Sequence, residues 1–430
     1  MKLKLILAFF IVQIGFAQHR TCGMEQQMQR IMADSQLKQQ YLDLQQQFES
    51  ELQRLSLAQE SNTMNKVAIA ANPIRIPVAV HYPSVVASSA NVALRSCLTL
   101  LAQKQVAILN ADYNATNTDI SNWANDISFY PGTNNGVMNV VFEIATLNHP
   151  TGTGLGFPVS GSPAVTFGTD FLSNADSDTT WAGYCNLVVR NITGGILGYS
   201  PLGGSPSAGM TVVIDNNAFG ATMVGSTPTS CTGYVPGAPY NKGRTLTHEL
   251  GHFFNLNHTF NACDGANCAT SGDKVCDTPS ADTPHYTCDP SGSIFTNCGT
   301  TQLTMNYMDY VEDSCMYMFT AGQATRMTAW SNTIGSQLHL NTLANNDFIV
   351  SNFSIAPNPS KGIFSIQLKE QTENYSVSII DSLGREIYNM DFNQTSDLVQ
   401  EIQIESALSG LYFVTIQSNG ASLTKKILVQ

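Results

Sequence analysis

THELGHFFNLNHTF, residues 247–260, is the stretch from which the organisation of the chain follows. On an α-helix, His248 and His252 lie one turn apart on the same face, with Glu249 beside them. This HExxH spacing is typical of two imidazoles that bind Zn²⁺ and a carboxylate that handles the reactive water. His258 offers a third imidazole if the chain leaves the helix and turns back. The stretch therefore predicts a zinc site with three histidine ligands; the alternative is a chance HExxH on an amphipathic helix.

The turn after this helix falls at Asn255. A residue at such a sharp reversal typically has positive φ, which glycine adopts most easily and which asparagine tolerates best among the other residues. We therefore expect Asn255 to have positive φ and to direct His258 back toward the first two histidines.

Length and composition indicate a folded protein of several domains. The chain has 430 residues, of which 43% are hydrophobic, and this length suggests two to four domains. It carries 20 basic and 32 acidic residues, a net charge of −12, which argues against a nucleic-acid partner because such a partner requires a basic surface. Acidity fits a secreted, calcium-binding protein.

The N-terminus has the pattern of a cleaved signal peptide, which we assign to residues 1–17. Lys2 and Lys4 precede an apolar run from Leu5 to Phe16, and small residues stand at the end. The run is too short to be a membrane anchor, and we identify no second apolar run long enough to span a bilayer. The mature chain is therefore expected to lack a transmembrane segment.

Residues 18–66 differ from the rest of the chain because they are rich in glutamine, with apolar residues at mostly three- and four-residue spacing. We interpret them as a helical propeptide that ends near Lys66; the alternative is a coiled-coil segment. Cys22 lies in a short RTCG sequence ahead of the helices. Its thiolate can provide a fourth zinc ligand and keep an enzyme latent, unless Cys22 is simply unpaired or disulfide-bonded.

Residues 67–340 have the pattern of an α+β domain. Apolar and β-branched runs predict strands, and longer amphipathic runs predict helices on either side of the zinc helix. The predicted strands begin near residue 74 and cover 137–145, 184–189 and 210–215, and the predicted helices cover 96–113 and 321–338.

Cysteines are concentrated after the zinc helix, which together with the signal peptide favours disulfides in a region with little regular structure. A second zinc site built from these cysteines is the alternative, and the absence of a CxxC pair argues against it. There are ten cysteines in all. If Cys22 binds zinc, one more must stay unpaired, and Cys97 on a helix face is the candidate.

Residues 74–338 resemble the pappalysin and cytophagalysin family of secreted metzincin metallopeptidases. The resemblance is carried by IPVAVHYP, GILGYS, HELGHFFNLNHTF, GDKVCDTP, NYMDYVEDSC and FTAGQATRM. It implies a metzincin fold with a twisted mixed sheet, an active-site helix and a disulfide-rich lower subdomain. The RTCG segment resembles the cysteine switch of that family, whereas Asn255 stands where the family has glycine.

The resemblance also implies roles for residues of the NYMDYVEDSC segment. A metzincin has a methionine in a tight turn beneath the metal, and Met308 is the match, with Met305 as the alternative. Tyr310 then lies beside the zinc, where its phenol can donate to the oxyanion. Bacterial members of the family prefer a basic residue just after the scissile bond, held by an aspartate that corresponds to Asp313, next to Glu312.

A calcium site is implied in the GDKVCDTP loop, with oxygen ligands from Asp273, the Val275 carbonyl and Thr278. The alternative is an ordinary acidic loop.

By the same resemblance, two disulfides are expected, Cys263 with Cys298 and Cys288 with Cys315. Elimination then leaves Cys268 with Cys276 and Cys185 with Cys231, which are guesses.

Residues 353–430 resemble the C-terminal sorting domain of proteins exported by the bacterial type IX secretion system. The matching pieces are FSIAPNPSKGIFSIQL, VSIIDSLGREIY, LSGLYFVTI and KKILVQ. They are short alternating strands separated by turn residues, which predicts a small all-β sandwich after a linker at residues 341–352. The alternative is a carbohydrate- or partner-binding module. A sorting domain implies export through the periplasm of a Gram-negative bacterium to the medium or the cell surface.

These observations together predict a secreted zinc endopeptidase that acts on proteins or peptides, with Glu249 as the catalytic base. Two alternatives remain. One is a surface adhesin on a degenerate peptidase scaffold, which the intact histidines and Glu249 do not favour. The other is a zinc hydrolase of non-peptide bonds.

Overall fold

The structure is a computed structural model, and it describes the chain from Arg20 onward with several gaps. The described residues are 20–62, 73–168, 177–221, 223–224, 227–228, 230–263, 265, 267–288, 293–340, 353–368, 374–393, 399–404, 408–418 and 421–430. The predicted signal peptide, the expected cleavage position near Lys66 and the predicted linker lie outside them. The chain divides into two compact units, Met1–Leu340 and Asn341–Gln430.

The first unit is built on a six-stranded mixed sheet. Its strand order is β2-β1-β4-β6-β5, and β3 also pairs with β1. Only β5 is antiparallel to its neighbour among these six strands. The central strands are buried on both faces, which explains their continuous runs of apolar residues. The strands are β1 (Ile74–Tyr82), β2 (Val140–Ile144), β3 (Val165–Phe167), β4 (Cys185–Arg190), β5 (Gly198–Tyr199) and β6 (Thr211–Asp215).

Helices pack against this sheet, and the predicted α+β class is confirmed. α3 and α5, which contribute to one hydrophobic core with the sheet, are also joined by the Tyr113 hydroxyl, which donates to the Thr247 carbonyl at 3.0 Å. The helices of the described part are α1 (Met24–Ala33), α2 (Ser35–Asn62), α3 (Val92–Tyr113), α4 (Trp123–Asp126), α5 (Arg244–Phe253) and α6 (Ala321–Ile334).

One expectation about membrane spans needs correction. The helical run Ser89–Phe129 is long and apolar enough, by length and composition alone, to cross a membrane. Its main helix, α3, instead buries Leu98, Leu101 and Leu109 in the core that it shares with the sheet. Length and composition alone do not distinguish a membrane span from such a core helix.

Four disulfides connect eight of the ten cysteines, and the region after α5 is held by three of them. The guessed pairing of Cys185 with Cys231 is wrong, and Cys97 is not the unpaired cysteine. Cys231 pairs with Cys97 of α3, whereas Cys185 is a free thiol buried in β4. The pairs are Cys97 with Cys231, Cys263 with Cys298, Cys268 with Cys276, and Cys288 with Cys315.

Two-residue strands complete the first unit. They form two antiparallel pairs outside the main sheet. These strands are β7 (Met223–Val224), β8 (Thr227–Pro228), β9 (Thr296–Asn297) and β10 (Thr300–Thr301).

The second unit consists of two antiparallel sheets, ordered β11-β12-β15 and β14-β13-β16-β17, which confirms the predicted β-sandwich. Alternate residues such as Val377, Ile379, Val414 and Ile416 are buried in its core, as the period of a half-buried strand requires. The strands are β11 (Phe353–Ala356), β12 (Ile363–Leu368), β13 (Asn374–Asp381), β14 (Glu386–Asn393), β15 (Val399–Gln403), β16 (Gly410–Ser418) and β17 (Ala421–Val429).

Candidate active site

The three histidines come together at the end of α5. His248 and His252 lie on the helix, and the chain reverses at Asn255, whose φ is +69° as its position in the sequence predicts. The Asn255 N–H donates to the His252 carbonyl at 2.8 Å, which closes the turn. His258 then returns to the first two histidines, and one nitrogen atom from each ring lies within 4.8 Å of the others.

The hydrogen bonds of these rings fit a bound metal ion. His248 Nδ1 donates to the Tyr307 carbonyl and His252 Nδ1 to the Leu256 carbonyl, both at 2.7 Å. Both rings therefore point Nε2 lone pairs into the site, as metal-binding histidines do. His248 Nε2 is buried without a hydrogen-bond partner, and His252 Nε2 lies 3.1 Å from His258 Nε2. Such a set of unprotonated imidazole nitrogens suits Zn²⁺.

Burial adjusts the protonation of these groups. It lowers the pKa of His252 to about 4 and the pKa values of His248 and His258 well below their usual range. The rings are therefore neutral near pH 7, which is the form that binds metal. Burial also raises the pKa of Glu249 to about 8.

Cys22 lies at the same centre. Its Sγ is within 4.8 Å of the three histidine nitrogens and donates to Glu249 Oε2 at 3.3 Å. The Met24 N–H donates to this sulfur at 3.4 Å. Three histidines and a cysteine are a donor set typical of a closed tetrahedral zinc site.

Met308 lies directly behind the zinc helix. It is fully buried in a turn in which its N–H donates to Asn306 Oδ1 at 2.9 Å. Gly251 of α5 faces it so closely that an added Cβ would collide with Met308 Sδ. Met305, the alternative, belongs instead to a separate cluster with Trp123 and Tyr130.

Tyr310 stands beside the histidines. Its ring centroid is 5.0 Å from that of His258 and 5.8 Å from that of His248. Asp309 accepts a hydrogen bond from the Tyr310 N–H at 2.7 Å, which fixes the backbone at this point. Burial, reinforced by the nearby Cys22 and Glu249, raises the pKa of the phenol, so that Tyr310 is a neutral hydrogen-bond donor.

Asp313 is fully buried and its carboxylate is bonded on both sides. Oδ2 accepts from the Lys242 and Arg244 N–H groups at 2.8 and 3.2 Å, at the N-terminus of α5. Oδ1 forms a 2.5 Å ion pair with Arg20, whose guanidinium also lies 5.0 Å above the Tyr240 ring. The sequence analysis predicts no role for Arg20, although this arginine lies only two residues before Cys22 in the RTCG segment.

The GDKVCDTP loop brings together the three residues expected to bind calcium, all of them buried. Asp273 Oδ1 accepts from the Val275 N–H at 2.9 Å, and the Val275 carbonyl accepts from the Thr278 N–H at 3.2 Å. Thr278 Oγ1 is buried without a hydrogen-bond partner. The loop therefore concentrates oxygen atoms, the ligands that Ca²⁺ prefers.

Comparison with known proteins gives the family. The family model described as pregnancy-associated plasma protein-A matches residues 182–332, which include the histidines, Met308 and Asp313. Residues 182–332 are therefore similar to the pappalysin family of metzincin metallopeptidases. The model for a secretion-system C-terminal sorting domain matches residues 354–430.

The chain is similar to several fungal extracellular metalloproteases. It is 37% identical over 153 residues to an extracellular metalloprotease of Colletotrichum graminicola, covering 35% of this chain and 50% of the relative. It is 39% identical over 147 residues to extracellular metalloprotease 1 of Coccidioides posadasii, covering 34% and 48%. The chain thus spans about half the length of these relatives.

Among solved structures, the chain is similar to two from Tannerella forsythia. A promirolysin mutant is 24% identical, with 75% of this chain and 100% of that chain covered and a TM-score of 0.47. Mature mirolysin in complex with a cleaved peptide is 26% identical, with 63% and 100% covered and a TM-score of 0.43.

The contact between Gly251 and Met308 generates a test of the packing behind the histidines. We expect Gly251→Ala to lower the free energy of unfolding by about 1–3 kcal/mol, because the added methyl group overpacks a filled core. Met308→Ala removes the colliding sulfur, so the double variant should lose less stability than the sum of the two single variants. Thermal or denaturant unfolding measures both effects, and additive losses would contradict this packing.

Proposed function

We propose that this protein is a secreted zinc-dependent endopeptidase made as a latent zymogen. The observation that carries the proposal is the meeting of four metal-binding side chains, from Cys22 and the three histidines, with Glu249 in hydrogen-bonding contact with the cysteine. Removal of Cys22 frees one position for water while the three histidines stay, which is the difference between a closed structural zinc site and an open catalytic one.

Zinc bound by His248, His252 and His258 would supply a Lewis acid that activates water and polarises a peptide carbonyl. Glu249 takes the proton of the attacking water and returns it to the leaving amine, a role that its elevated pKa suits. Tyr310 donates its hydroxyl proton in a hydrogen bond to the oxyanion.

Latency is supported by the way in which the N-terminal segment pairs with β5. The Gly23 N–H donates to the Gly198 carbonyl at 3.0 Å, and the Leu197 N–H donates to the Thr21 carbonyl at 3.1 Å. The segment thus takes up a strand edge that an extended peptide substrate would otherwise use. We propose that residues 18–66 are the propeptide, removed by cleavage near Lys66, and that residues 67–340 are the catalytic domain.

The ion pair of Arg20 with Asp313 supports a preference for a basic residue just after the scissile bond. Arg20 of the N-terminal segment already forms an ion pair with this carboxylate, and its charge is close enough to affect His248. Once the segment leaves, Asp313 Oδ1 loses its cationic partner, while Oδ2 keeps its two backbone N–H donors. A basic side chain of the substrate can then take the position of the Arg20 guanidinium on Oδ1. Glu312 lies next to Asp313 but is not the partner of Arg20.

We further propose that a signal peptide, residues 1–17, directs the chain to the periplasm of a Gram-negative bacterium. The sorting domain, residues 353–430 after a linker at 341–352, then delivers it to the type IX secretion machinery. The substrates are proteins or peptides. Calcium bound by Asp273, the Val275 carbonyl and Thr278 would stabilise the loop below the site.

Within the proposed function, the first prediction concerns the catalytic base. After processing, the protein should bind one catalytic zinc ion and cut a denatured protein substrate, and a chelator should abolish cutting. Glu249→Ala should lower kcat by at least about a hundredfold, because it removes the carboxylate placed beside the histidines to accept the proton of water. Gel-based and fluorogenic assays measure this. A Glu249→Ala enzyme as active as the wild type would contradict this mechanism.

The second prediction concerns Asp313. Asp313→Asn keeps the shape of the side chain but removes its charge, so the preference for Arg or Lys after the scissile bond should fall by about tenfold or more. Peptide-library cleavage profiles of wild type, Asp313→Asn and Asp313→Ala measure it. Glu312→Gln is the matched control and should keep the preference. An unchanged profile for both Asp313 variants would remove this residue from the pocket.

The third prediction concerns Cys22. Cys22→Ala removes the sulfur from the zinc site, so the unprocessed chain should show activity or mature faster than the wild type. The measurement is the cleavage rate of a fluorogenic peptide together with the mass of the chain over time. Latency equal to that of the wild type would reject the cysteine switch.

A further inference from the structure

Helix α2 has its own contact surface on residues 67–340, which we call the peptidase unit. This surface is separate from the contacts of the segment that carries Arg20 and Cys22. Leu44 and Phe48 of α2 are one turn apart and buried against the unit. The Phe48 ring lies 5.6 Å from the Trp330 ring of α6. The Arg326 guanidinium lies 5.0 Å from the centroid of the Phe48 ring.

Two polar contacts of α2, on either side of Phe48 in the sequence, accompany this apolar patch. On one side, Asn332 of α6 donates to Glu51 at 2.7 Å. On the other side, Gln45 Nε2 donates to Asn255 Oδ1, and Asn255 Nδ2 donates to Gln45 Oε1, both at 3.1 Å. The two amide groups therefore satisfy one another.

Asn255 is the turn residue between the second and the third histidine. It is buried and has positive φ, a conformation in which glycine carries less strain. A buried amide needs partners for both its oxygen and its nitrogen, and Gln45 supplies both. The asparagine at this turn therefore has a function that glycine lacks, which is to contact α2.

The path from α2 back to Cys22 is short and well packed. α1 begins two residues after Cys22 and buries Met24 and Ile31. Asp34 separates the two helices and accepts hydrogen bonds from the Gln36 and Leu37 N–H groups, each at 2.9 Å. The position of α2 on its contact surface therefore constrains the position of Cys22, because α1 and Asp34 connect the two without an unstructured linker.

We propose that the surface formed by Asn255, Arg326, Trp330 and Asn332 is a second docking site for the propeptide, and that the Gln45–Asn255 amide pair couples this docking to the retention of Cys22 at the histidines. This inference rests on the proposed latency. It adds that the latent state has two separable contacts with the peptidase unit, one at the metal site and one on α6.

The test is the rate at which a thiol reagent alkylates Cys22 in the full-length chain. Cys185, the other free cysteine, is buried in the central sheet and serves as the slow internal reference. Intact-mass spectrometry restricts the count to unprocessed chains. Local opening exposes the thiol, so the rate reports how often the segment leaves.

Gln45→Ala should speed labelling of Cys22 by about tenfold, because it removes two hydrogen bonds of a buried amide. It should also speed hydrogen exchange in residues 35–62. Asn255→Gly should have a similar effect, and the double variant should add little, because either change breaks the same pair. Gln47→Ala is the matched control, since Gln47 is exposed on the same helix and should label at the wild-type rate.

Labelling of Gln45→Ala at the rate of Gln47→Ala would overturn the proposal, as would additive effects of Gln45→Ala and Asn255→Gly. If Gln45→Ala lowers the thermal midpoint of the peptidase unit, the Gln45→Glu variant is used in its place. Its side chain has the same length as glutamine, but its carboxylate cannot donate a hydrogen bond to Asn255. None of these readouts needs catalysis. A processed protein that cuts no substrate would therefore contradict the proposed function, whereas the labelling rates would still test the coupling between Gln45 and Cys22.

Discussion

The reversal of the chain at Asn255 is the constraint on which the site depends. α5 by itself presents two imidazoles on one face, and a third can reach them only if the backbone changes direction within a few residues. A left-handed residue closed by a hydrogen bond to the His252 carbonyl achieves this. The Leu256 carbonyl, one residue later, accepts from His252 Nδ1, so the same turn also orients the second ligand. Backbone geometry thus fixes both the position and the orientation of the donors.

A second constraint is the cost of burying Asp313. Its carboxylate is shielded from water, and such a charge is stable only when it is paired and hydrogen-bonded. Two backbone N–H groups at the start of α5 provide part of the compensation, since this is where the helix presents unsatisfied donors. Arg20 provides the remainder in the latent chain. The same helix therefore stabilises a negative charge at its N-terminus and presents the imidazoles toward its C-terminus.

Sequence reasoning succeeded where the signal is local. The histidine spacing, the positive φ of Asn255, four of the six strands of the main sheet and the alternation in the C-terminal sandwich all follow from patterns a few residues long, whereas the short strands β3 and β5 were not predicted. It failed where contacts join distant positions. The Gln45–Asn255 pair spans 210 residues and the Arg20–Asp313 pair spans 293, and no local pattern shows that the two members of either pair meet. The error over Cys97 has the same cause, because only the fold reveals that Cys185 points into the core while Cys97 lies near Cys231.

The histidine cluster and the proposed specificity pocket share one support, which is the buried Arg244 at the start of α5. Its guanidinium is held by Asp119 through bonds of 2.6 and 2.7 Å and donates to the Asp313 carbonyl at 3.1 Å. It also lies 5.5 Å from the ring of Tyr307, whose carbonyl accepts from His248 Nδ1. A displacement of Arg244 would therefore reach the pocket and the first histidine together. Because both are tied to one buried cation, the geometry of the Asp313 carboxylate relative to the three histidines is set by the core of the domain.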